Sequence, residues 1–89
     1  MNGGGRRAPT PREAWLSDGR QVLHFRPARW DQWRQTLVIT SGEWLPDQPE
    51  PLLKHRRELS REQALALWRS LRREGWIACP PQWRPPPLG

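Results

Sequence analysis

The sequence lacks the residues that would crosslink a small fold by a disulfide or bind a metal in it. Cys79 is the single cysteine, so an internal disulfide is excluded. A lone thiol is also more typical of a reducing compartment than of a secreted protein. His24 and His55 are far apart, and no paired His or Cys spacing suits zinc. We therefore expect no metal, no cofactor and no enzymatic activity.

Long apolar runs are also missing. No stretch approaches the ~18 consecutive apolar residues of a membrane span, and the N-terminus has no apolar signal-peptide core. We predict no membrane partner and a cytoplasmic location. The length of 89 residues allows one domain.

The two ends of the chain have little to bury. Residues 1–13 hold a glycine triplet and three arginines, and residues 80–89 hold five prolines. We predict a disordered basic tail over 1–13, a single domain over 14–79 and a Pro-rich extended tail over 80–89. A core of that size rarely supplies more than roughly 3–5 kcal/mol. Packing of bulky tryptophans or self-association is expected to compensate.

Tryptophan and arginine are what the sequence has in abundance. It contains seven Trp, no Tyr and one Phe, and Lys54 is the single lysine among fifteen basic residues. Both residue types are enriched in binding surfaces, but both also build small cores and their rims. The net charge of +6 is local, since residues 54–73 carry seven bases against two acids.

The first half of the chain predicts antiparallel strands. An Asp-Gly pair at 18–19 between apolar flanks favours a hairpin with a two-residue turn. That turn would pair Trp15 with Val22 and place three apolar side chains on the opposite face: Leu16, Leu23 and Phe25. Pro27 is expected to end the second strand, which leaves residues 28–35 as a connector.

A β-branched run follows at residues 36–40, and it is the strongest strand signal in the chain. Ser-Gly at 41–42 predicts a turn, and residues 43–45 a short return strand. Residues 52–59 fit either a further strand or an extended lead-in to a helix. The pattern leaves those two alternatives open.

The helix has a complete set of signals. Ser60 followed by Gln63 is a capping-box pattern, and an apolar stripe at helical spacing comes next: Ala64, Leu67, Trp68 and Leu71. Gly75 is placed to close the helix with a positive φ, so that Trp76 packs back on the last turn. We predict a helix over 61–74. The fold class is α+β, with an antiparallel sheet of three to four strands packed against this C-terminal helix.

Two groups of residues are candidates for binding. Clustered cations suit phosphate groups, and seven lie in the basic segment: Lys54, Arg56, Arg57, Arg61, Arg69, Arg72 and Arg73. The alternative is a solvated helix face. Three tryptophans in polar or Pro-rich surroundings are candidates for base stacking or partner contact: Trp30, Trp33 and Trp83. The alternative for them is capping of the core edge, whereas Trp15, Trp44, Trp68 and Trp76 are predicted to be core residues.

The order of several short motifs resembles a known family. They are Trp15-Leu16, Gly19, Val22-Leu23-His24-Phe25, Leu52-Leu53-Lys54-His55-Arg56-Arg57, Leu59, Ala64, Leu67-Trp68, Leu71, Gly75-Trp76 and Pro81-Gln82-Trp83. Over roughly Trp15 to Trp83 the chain resembles a family of short Trp-rich proteins of marine unicellular cyanobacteria, classed as a domain of unknown function. The resemblance implies a source and a length, but no activity or site residue.

Two functions follow from the residues themselves. The first is a nucleic-acid-binding protein that contacts RNA or DNA through the basic segment. The second is a protein-interaction or regulatory module that uses exposed tryptophans against a protein partner or a second copy of itself. Salt separates them, because phosphate contacts are screened at about 0.5 M salt and apolar association is not.

Overall fold

The computed structural model describes residues 13–30 and 35–86, apart from the side chains of Arg29 and Trp30. The elements, in chain order, are β1 (Ala14–Ser17), β2 (Gln21–Trp30), β3 (Gln35–Glu43), β4 (Leu52–Ser60), α1 (Arg61–Arg73) and β5 (Ile77–Ala78). The strands form one antiparallel sheet in the order β4-β3-β2-β1-β5. The α+β class is confirmed, but the described residues form five strands rather than three to four, and the helix ends at Arg73 rather than at residue 74.

The main core lies between α1 and one face of the sheet. Alternate residues of three strands meet the helix there, and the strand residues Leu16, Phe25, Leu37 and Ile39 form a buried cluster with Ala64 of α1. Trp68 of α1 stands edge-on to Phe25, with ring centroids 5.2 Å apart. This face therefore has the period-two pattern of a sheet with one helix-covered side.

The capping interactions at both ends of α1 follow the prediction. The Ser60 hydroxyl accepts a hydrogen bond from the Gln63 backbone N–H at 3.1 Å, and the Gln63 side chain accepts one from the Ser60 backbone N–H at 3.0 Å. At the other end Gly75 has φ +100°. The backbone N–H of Trp76 donates to the Leu71 carbonyl at 3.0 Å, which is the Schellman closure. The chain then enters β5 and returns to pair with β1.

The predicted register of the first hairpin is wrong by two residues. Trp15 pairs with His24, not with Val22, and Ser17 pairs with Val22 across a four-residue loop. The loop is wider because the Asp18 carboxylate accepts hydrogen bonds from the backbone N–H groups of Arg20 at 2.9 Å and Gln21 at 2.7 Å. These bonds hold the pKa of Asp18 below its ordinary value, and the bond from Gln21 contributes most to that shift. A shift of two residues keeps every side chain on its predicted face.

The predicted end of the second strand is also wrong. β2 continues through Pro27 to Trp30, so residues 28–30 are strand and not connector. The β1 ladder ends where Ala14 pairs with Phe25, and within the described ranges no strand flanks β2 on that side beyond this point. A proline without an N–H is tolerated on such an edge, and the pairing shifts between Pro27 and Arg29.

The predicted turn at 41–42 does not occur. β3 runs without interruption to Glu43, so the expected return strand over 43–45 is wrong as well. Gly42 instead faces a bulge, since Ser41 pairs with His55 and Gly42 with Leu53, which leaves Lys54 as the extra residue of β4. The chain reverses over residues 44–51, and the open question at 52–59 is resolved as strand β4.

Candidate functional site

The face of the sheet opposite α1 has a second, smaller layer of packing. Trp15, Val22 and His24 are on this face, and they are 5%, 0% and 2% exposed. Trp83 from the segment after β5 lies over them, with its ring 4.6 Å from that of Trp15 and 6.0 Å from that of His24. The segment is fastened where the Cys79 backbone N–H donates to the Trp15 carbonyl at 3.0 Å.

His24 is the polar centre of this layer. Its ring stacks on Trp15 at 4.1 Å with an interplanar angle of 24°, and its Nε2 is 2.7 Å from Glu13 Oε1. Burial lowers the pKa of His24, and the hydrogen bond to Glu13 opposes that shift only in part. The imidazole is therefore neutral at pH 7, so His24 adds an aromatic surface to this face rather than a charge.

Gly42 explains how Trp83 approaches the sheet. A Cβ on Gly42 would lie 3.1 Å from Trp83 Cζ3 and 3.3 Å from both Leu53 Cδ2 and Pro51 Cβ. Contacts of that length are tighter than ordinary van der Waals contact, so glycine leaves the space that the indole occupies. The predicted turn glycine is thus a packing glycine beneath Trp83.

A groove of about 200 Å³ lies beside Trp83 on the same face. Its lining comes from β2, β3, β4 and the C-terminal segment: His24, Arg26, Val38, Thr40, Leu53, Lys54, His55, Arg56, Trp83, Pro85 and Pro86. Three of these residues are cations and none is a carboxylate. We call this feature the groove.

The three cations of the groove differ in how they are held. Lys54 Nζ lies 2.5 Å from Glu43 Oε1, and Arg20 Nε lies 3.0 Å from the other oxygen of that carboxylate. The hydrogen bond from Lys54 is the main reason that the pKa of Glu43 is lowered. Arg26 donates to the Pro86 carbonyl oxygen. Among the residues that the structure describes, Arg26 and Arg56 have no carboxylate partner, which leaves their charge available to an anion.

The predicted basic segment does not form one patch. Lys54, Arg56 and Arg57 lie on β4, an edge strand of the sheet, where alternation separates Arg57 from Arg56. Lys54 and Arg56 line the groove, whereas Arg57 pairs with the core residue Ile39 and belongs to the helix-covered side. Charges along an outermost strand also discourage pairing with another sheet edge.

The helix arginines lie across the sheet from the groove. Arg61, Arg69, Arg72 and Arg73 are all exposed on α1, which covers the opposite face. Arg72 has a structural contact as well, since its Nη1 donates to the Trp76 carbonyl at 2.8 Å. Arg61 borders an apolar depression beside Phe25 and Leu37. These four residues can add a general positive field, but they do not meet Arg26 or Arg56.

The tryptophans divide between core, core edge and groove. Trp15 is buried as predicted, whereas Trp44, Trp68 and Trp76 are half-buried. Trp83 is half-buried and forms a wall of the groove, so it caps the second layer and also reaches a candidate site. The side chain of Trp30 and the whole of Trp33 lie outside the described residues.

Sequence reasoning missed Arg26 and His24 as groove residues. Period two along β2 puts His24 and Arg26 on one face, but this signal is usable only once the strand is known to continue past Phe25. Arg56 comes beside Thr40 and His24 through the β3–β4 register, which contains a bulge at Ser41 and Gly42. No local sequence pattern indicates it.

Two further classes of site are absent from the part of the chain that the structure describes. None of its helices has the length and apolar character needed to cross a membrane. No three His, Cys, Asp or Glu side chains within residues 13–30 and 35–86 are grouped so that they could hold a metal ion.

Comparison with known proteins gives a family but no function. No curated protein and no solved structure matches the chain. A family model described as "Protein of unknown function (DUF1651)" matches residues 13–83, a span that begins at Glu13 beside His24 and ends at Trp83. Because that span covers most of the 89 residues, the chain belongs to this family of unknown function.

Proposed function

We propose that this protein is a non-catalytic nucleic-acid-binding protein whose ligand lies in the groove. The observation that carries the proposal is the lining itself: three cations and a tryptophan surround the groove, and no carboxylate does. Arginine presents a planar fork of donors that matches phosphate, and such contacts supply most sequence-independent affinity for nucleic acid. An aromatic wall adds a stacking surface that any base can use.

Charge outside the groove supports the same proposal. The exposed arginines of α1 and the three arginines of residues 1–12 raise the positive potential around the molecule. Such a field speeds association with an anionic polymer even where no direct contact forms. We expect these residues to contribute to the rate of association and Arg26 and Arg56 to contribute to the bound state.

The test compares two double variants with the same change in charge. Arg26→Gln/Arg56→Gln removes the two groove arginines, and Arg69→Gln/Arg73→Gln removes two exposed arginines of α1. Fluorescence anisotropy with mixed-sequence RNA and DNA 20-mers gives the affinity between 25 and 200 mM salt. We expect the groove variant to lower the salt slope by about 1.4, which is two single-strand phosphate contacts, and the helix variant to change it much less.

Two results would contradict this proposal. Absence of binding to either polymer at 25 mM salt removes nucleic acid as the ligand class. Equal losses in the two double variants would show that affinity follows net charge and that the groove is not the site. Circular dichroism of both variants checks that the fold is unchanged.

The edge of β4 favours a second candidate function. Leu52 and Leu53 are 51% and 48% exposed at the start of this outermost strand, whose outer backbone groups face no strand among the described residues. An extended segment of a partner, or of a second copy, could add to the sheet at this apolar start of β4, ahead of the charged residues that discourage pairing farther along the strand. Association that persists in 0.5 M salt in light scattering would favour this interaction role over phosphate binding.

A cytoplasmic location and a marine cyanobacterial source belong to the proposal as well. The lone Cys79 supports the reducing compartment. The order of motifs that resembles the cyanobacterial family supports the source.

A further inference from the structure

We infer that the groove accepts a single strand, with one base inserted against Trp83 while Arg26 and Arg56 hold the flanking phosphates. The inference rests on the proposed function and narrows its ligand from nucleic acid in general to unpaired nucleic acid. Three features of the described residues lead to it: the size of the groove, the position of the Trp83 ring and the spacing of the two arginines.

The size of the groove fits one planar ring. Sites for drug-sized ligands typically have volumes of 300–1,000 Å³, and this groove has about 200 Å³. A single base is a small planar ligand of a kind that such a volume suits, with its sugar and phosphates left outside at the rim. In a duplex each base has its faces covered by its neighbours, and extruding one costs a few kcal/mol. A strand that is already unpaired enters without most of that cost.

The Trp83 ring lines the groove and is steeply inclined to the two rings beside it. Cζ3 is the indole atom nearest to Gly42, and the ring is inclined by 74° to Trp15 and by 84° to His24. Trp15 and His24 are stacked on each other, so they approach Trp83 together. The ring is therefore not stacked flat on either Trp15 or His24. Because Trp83 lines the groove, a base in the groove can stack on its indole.

The two arginines bracket the base position from different strands. Arg56 pairs with Thr40, which pairs with His24, whereas Arg26 pairs with Val38 in the next row. The two residues are thus two strands and two positions apart, a Cα separation of about 12 Å from ordinary strand spacing and rise. Long side chains at that separation can reach phosphates on either side of one inserted nucleotide.

The C-terminal segment closes the other side of the groove without blocking the cations. Pro85 and Pro86 line it, and Arg26 reaches the Pro86 carbonyl oxygen through Nη1. A guanidinium has five donors, so one bond to a carbonyl leaves donors for a phosphate. The Arg26 contact therefore positions the guanidinium at the rim and is compatible with a bound strand.

The experiment measures one sequence in three forms. Labelled 12-nucleotide DNA is titrated by anisotropy at 50 mM salt as a single strand, as a blunt duplex and as a strand in which every base is replaced by an abasic site. We expect the single strand to bind at least tenfold more tightly than the duplex. We expect the abasic strand, which keeps every phosphate, to lose roughly 5- to 150-fold, which corresponds to stacking of 1–3 kcal/mol per base.

Variants assign the stacking to one tryptophan. Trp83→Leu keeps an apolar side chain over Gly42 but removes the ring, and Trp44→Leu changes a half-buried tryptophan that does not line the groove. Trp83→Leu should weaken binding of the intact strand and leave that of the abasic strand unchanged, whereas Trp44→Leu should change neither. The abasic comparison uses the unmodified protein, so it tests the inference even if Trp83→Leu fails to fold.

The outcomes separate this inference from the function on which it rests. Absence of binding in every form overturns the proposed function. Equal affinity for single strand and duplex, or no effect of abasic sites, overturns the single-strand inference and leaves phosphate binding by the groove in place. A Trp83→Leu variant that folds and binds like the parent overturns the assignment of the stacking ring.

Discussion

At the scale of single residues, the polar centre of the second layer is a side chain that gives no clear signal in the sequence. His24 stacks on Trp15, bonds Glu13 and lies under Trp83, and it is 2% exposed. Alternation along β2 indicates which face it occupies, but its burial depends on a segment some sixty residues later in the chain. A lone histidine in a strand therefore predicts none of these contacts.

The lowered pKa of His24 predicts a specific pH dependence of stability. Because burial lowers its pKa in the folded state, the unfolded chain binds the proton more readily. The free energy of unfolding should then be highest above about pH 6.5, the ordinary histidine value, and fall as the pH drops below it. His24→Gln, which cannot titrate, should lose less melting temperature than the parent between pH 7.5 and pH 5.

A second histidine supplies the control, and two carboxylates set the range of the scan. His55→Gln changes a histidine that is exposed on β4, and it should lose stability over this interval as the parent does. The scan stops at pH 5 because Asp18 and Glu43, whose pKa values are lowered, remain charged there. Parallel melting curves for His24→Gln and the parent across the range would show that His24 does not titrate with unfolding.

At the scale of elements, local signals predicted where structure begins and non-local pairing decided where it ends. The capping box of α1 and the β-branched run of β3 involve neighbours in sequence, and both predictions are confirmed. Pro27 and the Ser-Gly pair at 41–42 gave wrong boundaries, because an open strand edge tolerates the first and Trp83 packs over the second. The groove depends on the same pairings. Arg26 was not a candidate because no local pattern indicates that its strand continues that far, whereas Arg56 was a candidate from the basic segment and Trp83 from its Pro-rich surroundings.

The end of α1 offers a test of an element boundary. Gly75 has φ +100°, and a Cβ there would meet nothing within 4 Å, so Gly75→Ala is strained through the backbone alone. We expect a loss of about 1 kcal/mol. In a domain of this size that corresponds to roughly 4–8 °C in melting temperature. Thermal unfolding followed by circular dichroism measures it.

A second substitution at the same position isolates the cause. Asparagine adopts positive φ more readily than alanine does, so Gly75→Asn should melt between Gly75→Ala and the parent. If alanine and asparagine lower the melting temperature equally, the added side chain and not the backbone is responsible. A melting temperature for Gly75→Ala within a degree of the parent would contradict the strained closure altogether.

At the scale of the whole molecule, the sheet is packed on both faces by segments that follow its first four strands in the chain. α1 covers one face, and the segment from Cys79 to Pro86 covers part of the other. Both layers are small, and a core of this size supplies little stability on its own. The strands would hold few buried side chains without these two coverings, so sheet formation and the docking of the C-terminal segment should be one cooperative event.

Truncation after Cys79 tests that cooperativity. The shortened chain keeps every helix and strand but loses Trp83 and exposes the stack of Trp15 and His24. Full burial of a large apolar side chain is worth roughly 1.5–3 kcal/mol, so a half-buried tryptophan should contribute about 1–2 kcal/mol. At roughly 4–8 °C per kcal/mol, the melting temperature should fall by about 5–15 °C.

Truncation after Pro86 is the control and should melt with the parent, because it leaves the contacts of Trp83 and Arg26 intact. If the chain ending at Cys79 also melts with the parent, the second layer adds no stability, and a self-sufficient domain over residues 14–79 is the correct description.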